Sequence, residues 1–182
     1  MTSTGVRRRL LVAFATGAGV MAGLAGAAAA GLRFNETPSM PLGLWQVETG
    51  HGSLRHGDVV VVCPPETVAV RIGWERGYIP LGRCPGGTEA LLKPVAATEG
   101  DVVVISAAGA AVNGQPIPDT AQLATDSAGR PLEHFASGTY RVASGEMWLL
   151  SGHDPRSFDS RYFGPVPEAK VEGIARPLWV IR

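Results

Sequence analysis

A hydroxyl in a proline frame is the first feature of this sequence that suggests chemistry. In TPSMPLGLW, Thr37 to Trp45, Ser39 stands between Pro38 and Met40, with Pro41 close behind. Proline fixes its own φ and drives the preceding residue toward extended backbone, so both sides of Ser39 are restricted. A nucleophile gains from a fixed backbone, because its own N–H can then serve as an oxyanion donor. Thr37, two residues earlier, offers a hydroxyl as a second donor.

A serine hydroxyl is weak at neutral pH and needs a base. The histidines are His51, His56, His134 and His153, and only His153, in SGHDP, has a suggestive context. Lysine is the other candidate base, and the chain has only Lys93 and Lys170. Lys93 lies in ALLKPVAATEGD, flanked by Leu91, Leu92, Pro94 and Val95. Apolar surroundings disfavour an ammonium, and a lysine base needs its pKa brought from ~10.4 toward roughly 7–8. The competing reading is a strand lysine that extends its amine to water. Lys170, in PEAKVEG, sits beside carboxylates and reads as solvated surface. A third segment, SGHDPRSFDSRYFGPVPE, Ser151 to Glu168, is dense in Ser, Asp and Arg between apolar runs. Ser157 could hold a neutral lysine in place, and Asp159 with Arg161 could pair and brace the loop. Taken alone, the same residues suit a surface loop of Asx turns.

The elements that must carry these residues are short and β-branched. HGDVVVVCPPE (56–66), EGDVVVISAAG (99–109), TYRVASGEMWLLSG (139–152) and VEGIARPLWVIR (171–182) each predict strand, the third broken around Ala143 to Gly145. Glu66 to Arg76 has the mixed polarity of a short helix, and Ala121 to Ser137 reads as a polar loop or small cap. The 24 glycines and 14 prolines favour turns and short strands over long helices. Sixteen basic residues balance 16 acidic ones, which disfavours nucleic acid as a partner.

The first 32 residues differ. Arg7, Arg8 and Arg9 precede 23 uncharged residues, Leu10 to Leu32. A run of that length spans a hydrocarbon core of roughly 30 Å, and the arginines predict a cytoplasmic N-terminus. A cleaved signal peptide is the rival, but the run exceeds the roughly 7–15 residues of its apolar region. The expected organisation is therefore a cytoplasmic segment (1–9), a transmembrane anchor (10–32) and a periplasmic domain (33–182). Six residues separate Leu32 from Ser39, so even an extended spacer reaches about 20–25 Å, and the nucleophile would lie near the bilayer surface. Leu42, Leu44 and Trp45 would line a substrate groove, dip into the interface or pack in the core. In an oxidising compartment Cys63 and Cys84 could form a disulfide, although spacing does not establish the geometry. The alternative, a metal site with His51 and His56, is disfavoured because the spacing matches no zinc pattern.

Taken together, NETPSMPLGLW, LLKPVAATEGDVV with the later VNGQPIP, and SGHDPRSFDSRYFGPVP resemble the ordered boxes of bacterial signal peptidases of the Ser/Lys type. The resemblance is closest to the conjugative-transfer (TraF) branch and spans Asn35 to about Glu168. Pro94 stands where a basic residue often follows the lysine, and Gly152-His153-Asp154 replaces the usual G-D-N. The resemblance implies a mostly β, strongly bent, partly barrel-like domain on a membrane helix. It implies Ser39 as nucleophile, Lys93 as general base and Asp159 in a supporting or more direct catalytic part. Thr37 would assist the oxyanion hole, Ser157 would orient the lysine, and Arg161 would brace the site. No metal or cofactor is implied. The implied partner is a membrane-bound propilin or other exported pre-protein at the bacterial inner membrane, with components of a conjugative type IV secretion system. A general leader peptidase and a catalytically silent scaffold are the rival functions.

Overall fold

The computed structural model describes residues 3–181, and the side chains of its first helix from Phe14 onward. The expected basic run Arg7 to Arg9 and the start of the expected anchor lie outside the described side chains. Helix α1 (Ser3–Ala29) is followed by Gly31, whose φ of 79° turns the chain into strand. The helix thus ends before Leu32, which opens β1 (Leu32–Asn35) rather than closing the apolar span. Among the described residues no helix is long and apolar enough to cross a membrane. Phe14, Val20, Met21 and Leu24 are all exposed.

The rest is mostly β. β2 (Leu42–Thr49), β3 (Val59–Val62), β4 (Leu91–Ala97), β5 (Val102–Ser106), β6 (Gly109–Val112), β7 (Gln115–Pro116), β8 (Gly138–Arg141), β9 (Glu146–Leu149), β10 (Val166–Pro167) and β11 (Val171–Ile181) follow, with α2 (Val68–Glu75) and α3 (Ser160–Phe163) between them. Among the described residues the strands form two sheets. The larger has the order β1-β2-β11-β3-β4-β9-β10 and the smaller β7-β6-β5-β8, and neighbouring strands run antiparallel. The valine runs became β3 and β5 as expected. The closing strand became β11, which pairs with both β2 and β3 and so ties the segment after α1 to the centre of the sheet.

Alternation along the strands sorts side chains to two faces. In β3, Val60 and Val62 join the core under α2 and α3 with Val95, Met147, Leu149 and Phe163, while Val61 faces the other way with Met40, Trp45, Leu92 and Ala175. Trp45 is therefore a core residue beneath the Ser39 turn, not a groove or interface residue. The same period places Lys93 on the side of Leu91 and Val95, which pack on the α2–α3 core. Thr67 caps α2 by accepting from the Val70 N–H, and Trp148 with Phe135 and Tyr140 closes the core of the smaller sheet.

Cys63 and Cys84 are joined as a disulfide. Both thiols are consumed, and His56 bonds Asp101, so the rival zinc set is not assembled. Closing a loop of this size stabilises the fold by about 3 kcal/mol in the chain-entropy model. The loop contains α2 and Tyr78 to Pro80, which form one wall of the site described next.

Candidate active site

Ser39 and Lys93 are 112 and 64 residues from their respective side-chain partners in the third segment, yet the fold brings all three segments together. Ser39 follows β1 in a turn that leads into β2, and it is 8% exposed. Its Oγ lies 3.2 Å from the Thr37 Oγ1. Its carbonyl accepts a hydrogen bond from the Ser151 hydroxyl, which fixes the turn to the segment after β9.

Lys93 lies in the middle of β4, opposite Val60 of β3, and is 3% exposed. Its Nζ donates to the Ser157 Oγ at 2.7 Å. Burial lowers its pKa from 10.5 to about 8; the nearby Arg161 also lowers it, while Asp159 and Asp154 oppose the shift. This is the environment a lysine base requires: the apolar wall disfavours the ammonium, and a hydroxyl holds the amine in place.

Asp159 and Arg161 are fully buried. The Arg161 Nε and Nη2 donate to the two carboxylate oxygens of Asp159, each at 2.9 Å, in the two-pronged geometry that suits guanidinium and carboxylate. The Ser151 N–H adds a bond to the same carboxylate. Asp159 also caps α3 by accepting from the Arg161 N–H. Burial works against the charge of Arg161, but Asp159 more than offsets it and the guanidinium is held above its usual pKa. Arg161 then reaches outward. Its Nη2 donates to the Ser157 carbonyl at 2.8 Å, and its Nη1 donates to the carbonyls of Pro155 and Ala121. One ion pair thereby sets the Ser157 backbone, the Ser151 backbone and one end of the 121–137 excursion.

Ser39, Thr37, Lys93 and Ser157 line one cavity of about 470 Å³, while Asp159 and Arg161 lie behind its wall. The sequence left one feature of this site as an alternative, a small cap, and missed a second. The 121–137 excursion is a built roof: Leu123, Thr125, Asp126, Ser127 and Leu132 line the cavity. Asp126 accepts from Tyr78 and from Arg130, and the Arg76 guanidinium donates to the Pro131 carbonyl. The second is Asn35, at the start of the first box. Its side chain is 5% exposed and bonds four groups of the Ser39 turn and the Pro41 carbonyl beyond it. The cluster of carbonyls that an asparagine collects is a product of the folded turn, and composition gives no sign of it. His153, the alternative base, is exposed and does not line the cavity.

A buried serine and a buried lysine share one cavity on a mostly β scaffold, with a hydroxyl holding the lysine amine, an arrangement suited to acyl transfer of the serine peptidase kind. The chain belongs to the signal peptidase family, peptidase S26, whose family model matches residues 7–180. It is 41% identical over 176 residues to the conjugal transfer protein TraF of Agrobacterium fabrum (strain C58 / ATCC 33970), covering 94% of this chain and 97% of that protein. It is 39% identical over 175 residues to the plasmid transfer protein TraF of Escherichia coli, covering 93% and 97%. Among solved structures it is similar to a signal peptidase I from Enterococcus faecalis V583, at 20% identity and a TM-score of 0.39, covering 69% of this chain and 98% of that one.

Proposed function

We propose that this chain is a membrane-anchored serine endopeptidase and acyl transferase that matures an exported pre-protein, in the first place a propilin, for a conjugative type IV secretion system. The observation that carries the reading is the convergence of Ser39 and the buried, low-pKa Lys93 on one cavity, with Ser157 holding the lysine amine. Relatives named for conjugal and plasmid transfer, matched over nearly the whole chain, support the assignment to that system.

Neutral Lys93 takes the Ser39 hydroxyl proton as Oγ attacks the scissile carbonyl. The Ser39 N–H and the Thr37 hydroxyl receive the oxyanion. The C–N bond breaks, and the departing amine takes the proton back from Lys93. The ester on Ser39 is then resolved by water or by the substrate's own N-terminal amine: Lys93 accepts the proton of the incoming group, the acyl C–O bond breaks, and Lys93 returns the proton to the Ser39 oxygen. Water leaves a trimmed linear chain, and the amine leaves a circle. Asp159 acts through Arg161, holding the Ser157 backbone, and does not exchange protons with substrate. The chemistry requires neither metal nor cofactor.

The anchor reading rests on the exposed apolar side chains of α1, which a lipid phase would cover, and on the basic run before them. It places the helix in the inner membrane, with the β domain on the periplasmic side, where a disulfide persists.

Co-expression with a candidate propilin and intact mass measurement tests the reading. The wild-type chain shortens the pilin, and a further loss of one water marks cyclisation. Ser39→Ala leaves the pilin unprocessed. Normal processing by a folded, membrane-inserted Ser39→Ala chain would overturn the proposal. Trimming without loss of water, extended to unrelated leader-bearing proteins, would reassign the chain as a general leader peptidase.

A further inference from the structure

We propose that Asn35 is a positioning residue that shapes the Ser39 turn and holds the Thr37 hydroxyl until substrate arrives; the catalytic part of this inference rests on the function proposed above. The hydrogen bonds fix which end of the carboxamide is which. Nδ2 lies 2.9 Å from the Thr37 carbonyl, 2.9 Å from the Met40 carbonyl and 3.1 Å from the Pro41 carbonyl. Three acceptors surround that atom, so it is the nitrogen. Oδ1 faces the Thr37 N–H at 3.4 Å and the Thr37 Oγ1 at 3.0 Å, so it is the acceptor.

Two consequences follow from that polarity. An amide oxygen has no proton to give, so the Thr37 hydroxyl donates to Oδ1. The 3.2 Å contact between Thr37 Oγ1 and Ser39 Oγ then takes its proton from Ser39. The resting site is a chain in which Ser39 donates to Thr37 and Thr37 donates to Asn35. When a substrate carbonyl becomes an oxyanion, the Thr37 hydroxyl rotates from Oδ1 to the developing charge, and the Ser39 proton is released toward Lys93. Without Asn35 the hydroxyl of the exposed Thr37 would turn to water and would no longer be held beside Ser39. Meanwhile Nδ2 draws three carbonyls to one side of the turn. Among the described residues the Ser39 N–H makes no backbone hydrogen bond, and it is the oxyanion donor of the proposed mechanism.

Two measurements test this. The first needs no substrate. In detergent-solubilised full-length protein, NMR follows the backbone amides of Thr37 and Ser39 and the titration of Lys93. Asn35→Ala, which removes both ends of the carboxamide, shifts both amide signals and speeds exchange of the Thr37 amide, while Lys93 still titrates near 8. Asn35→Asp, which keeps an acceptor for Thr37 but loses the Nδ2 donor, shifts both signals through the turn alone. Unchanged Thr37 and Ser39 amides would overturn the shaping role. The second is single-turnover processing of the propilin, with Thr37→Val completing a double-mutant cycle. Asn35→Ala lowers the acylation rate by about 10- to 100-fold, less than the ~10²–10³ of an oxyanion donor itself, and leaves KM within about twofold. Adding Thr37→Val then costs much less than it does in the wild type, because the two residues act in series. Additive losses, or a loss confined to KM, would overturn the holding role. If the wild-type chain processes no propilin, the function reading fails, and the amide spectra still decide whether Asn35 shapes the turn.

Discussion

Lys93 is the residue on which the chemistry and the pH dependence both turn. Burial lowers its pKa to about 8 from 10.5, so below about 8 the folded protein confines an ammonium among Leu91, Val95 and Phe158. Between these two values the unfolded chain holds more protons than the folded one, so stability rises with pH across that window. Thermal melts from pH 7 to 10.5 should show wild type gaining on Lys93→Met, by about 3 kcal/mol at most. Activity follows the neutral amine. The value of kcat/KM should fall about tenfold per pH unit below 8, leaving about a tenth of the plateau at pH 7. A profile flat from pH 6 to 9 would remove Lys93 as the base. Local neighbours marked the candidates of this site in the sequence without deciding their roles. The apolar run at Lys93, the prolines around Ser39 and the dense loop of Ser157, Asp159 and Arg161 marked candidates, but a strand lysine reaching water and a surface loop of Asx turns fit the same residues. It was the order of the three segments, through the family resemblance, that assigned their roles. Asn35 and Ser151 were not legible as site residues. Their partners are backbone groups of the folded turn, and no pattern of residue types encodes where those carbonyls will point.

At the scale of elements, the site depends on how closely α2 approaches the loop before α3. Gly73 is buried in α2 against the Phe158 ring, and a Cβ there would lie 2.8 Å from its Cζ and 2.9 Å from its Cε1. The ring cannot step aside cheaply, because it stacks on Tyr162 at 5.1 Å and also meets Tyr78 and Phe163. Gly73→Ala should therefore push Phe158, and with it the adjacent Ser157 that holds the Lys93 amine. The expected cost is about 1–3 kcal/mol of overpacking, together with a fall in kcat larger than any change in KM. Melts and single-turnover rates check the two parts separately, and a variant of unchanged stability and rate would show that the loop yields freely. The strands around this contact were read from their valines, and α2 from its mixed polarity. The roof formed by 121–137 read as either a polar loop or a small cap, and nothing in its own residues decided between them. Its order comes from partners far along the chain, Arg76, Tyr78 and Arg161, rather than from any period of its own.

At the scale of the molecule, the question is what α1 does for the domain it precedes. Its 27 residues extend about 40 Å, and the side chains described from Phe14 onward lie almost entirely in the open. Among the described residues two bonds join its end to the sheet: the Val47 N–H donates to the Gly31 carbonyl, and the Gln46 side chain donates to the Ala30 carbonyl. The sheet, by contrast, is secured without the helix. β1 pairs along its whole length with β2, β2 pairs with β11, and Trp45 is buried with Val61, Leu92 and Ala175. On the anchor reading proposed above, a helix so weakly joined contributes little to folding and its apolar surface serves location instead. A chain beginning at Leu32 should melt within a few degrees of the detergent-solubilised full-length protein. It should also process a soluble peptide carrying the propilin cleavage site at a kcat within about twofold. Against propilin in vesicles its rate should fall by at least tenfold, because the full-length chain holds both reactants on one surface and the truncated chain must find its substrate from solution. Equal rates of the two chains on vesicles would show that α1 does not bring Ser39 to the substrate. Loss of the soluble-peptide activity would show instead that the helix is part of the folded catalytic unit.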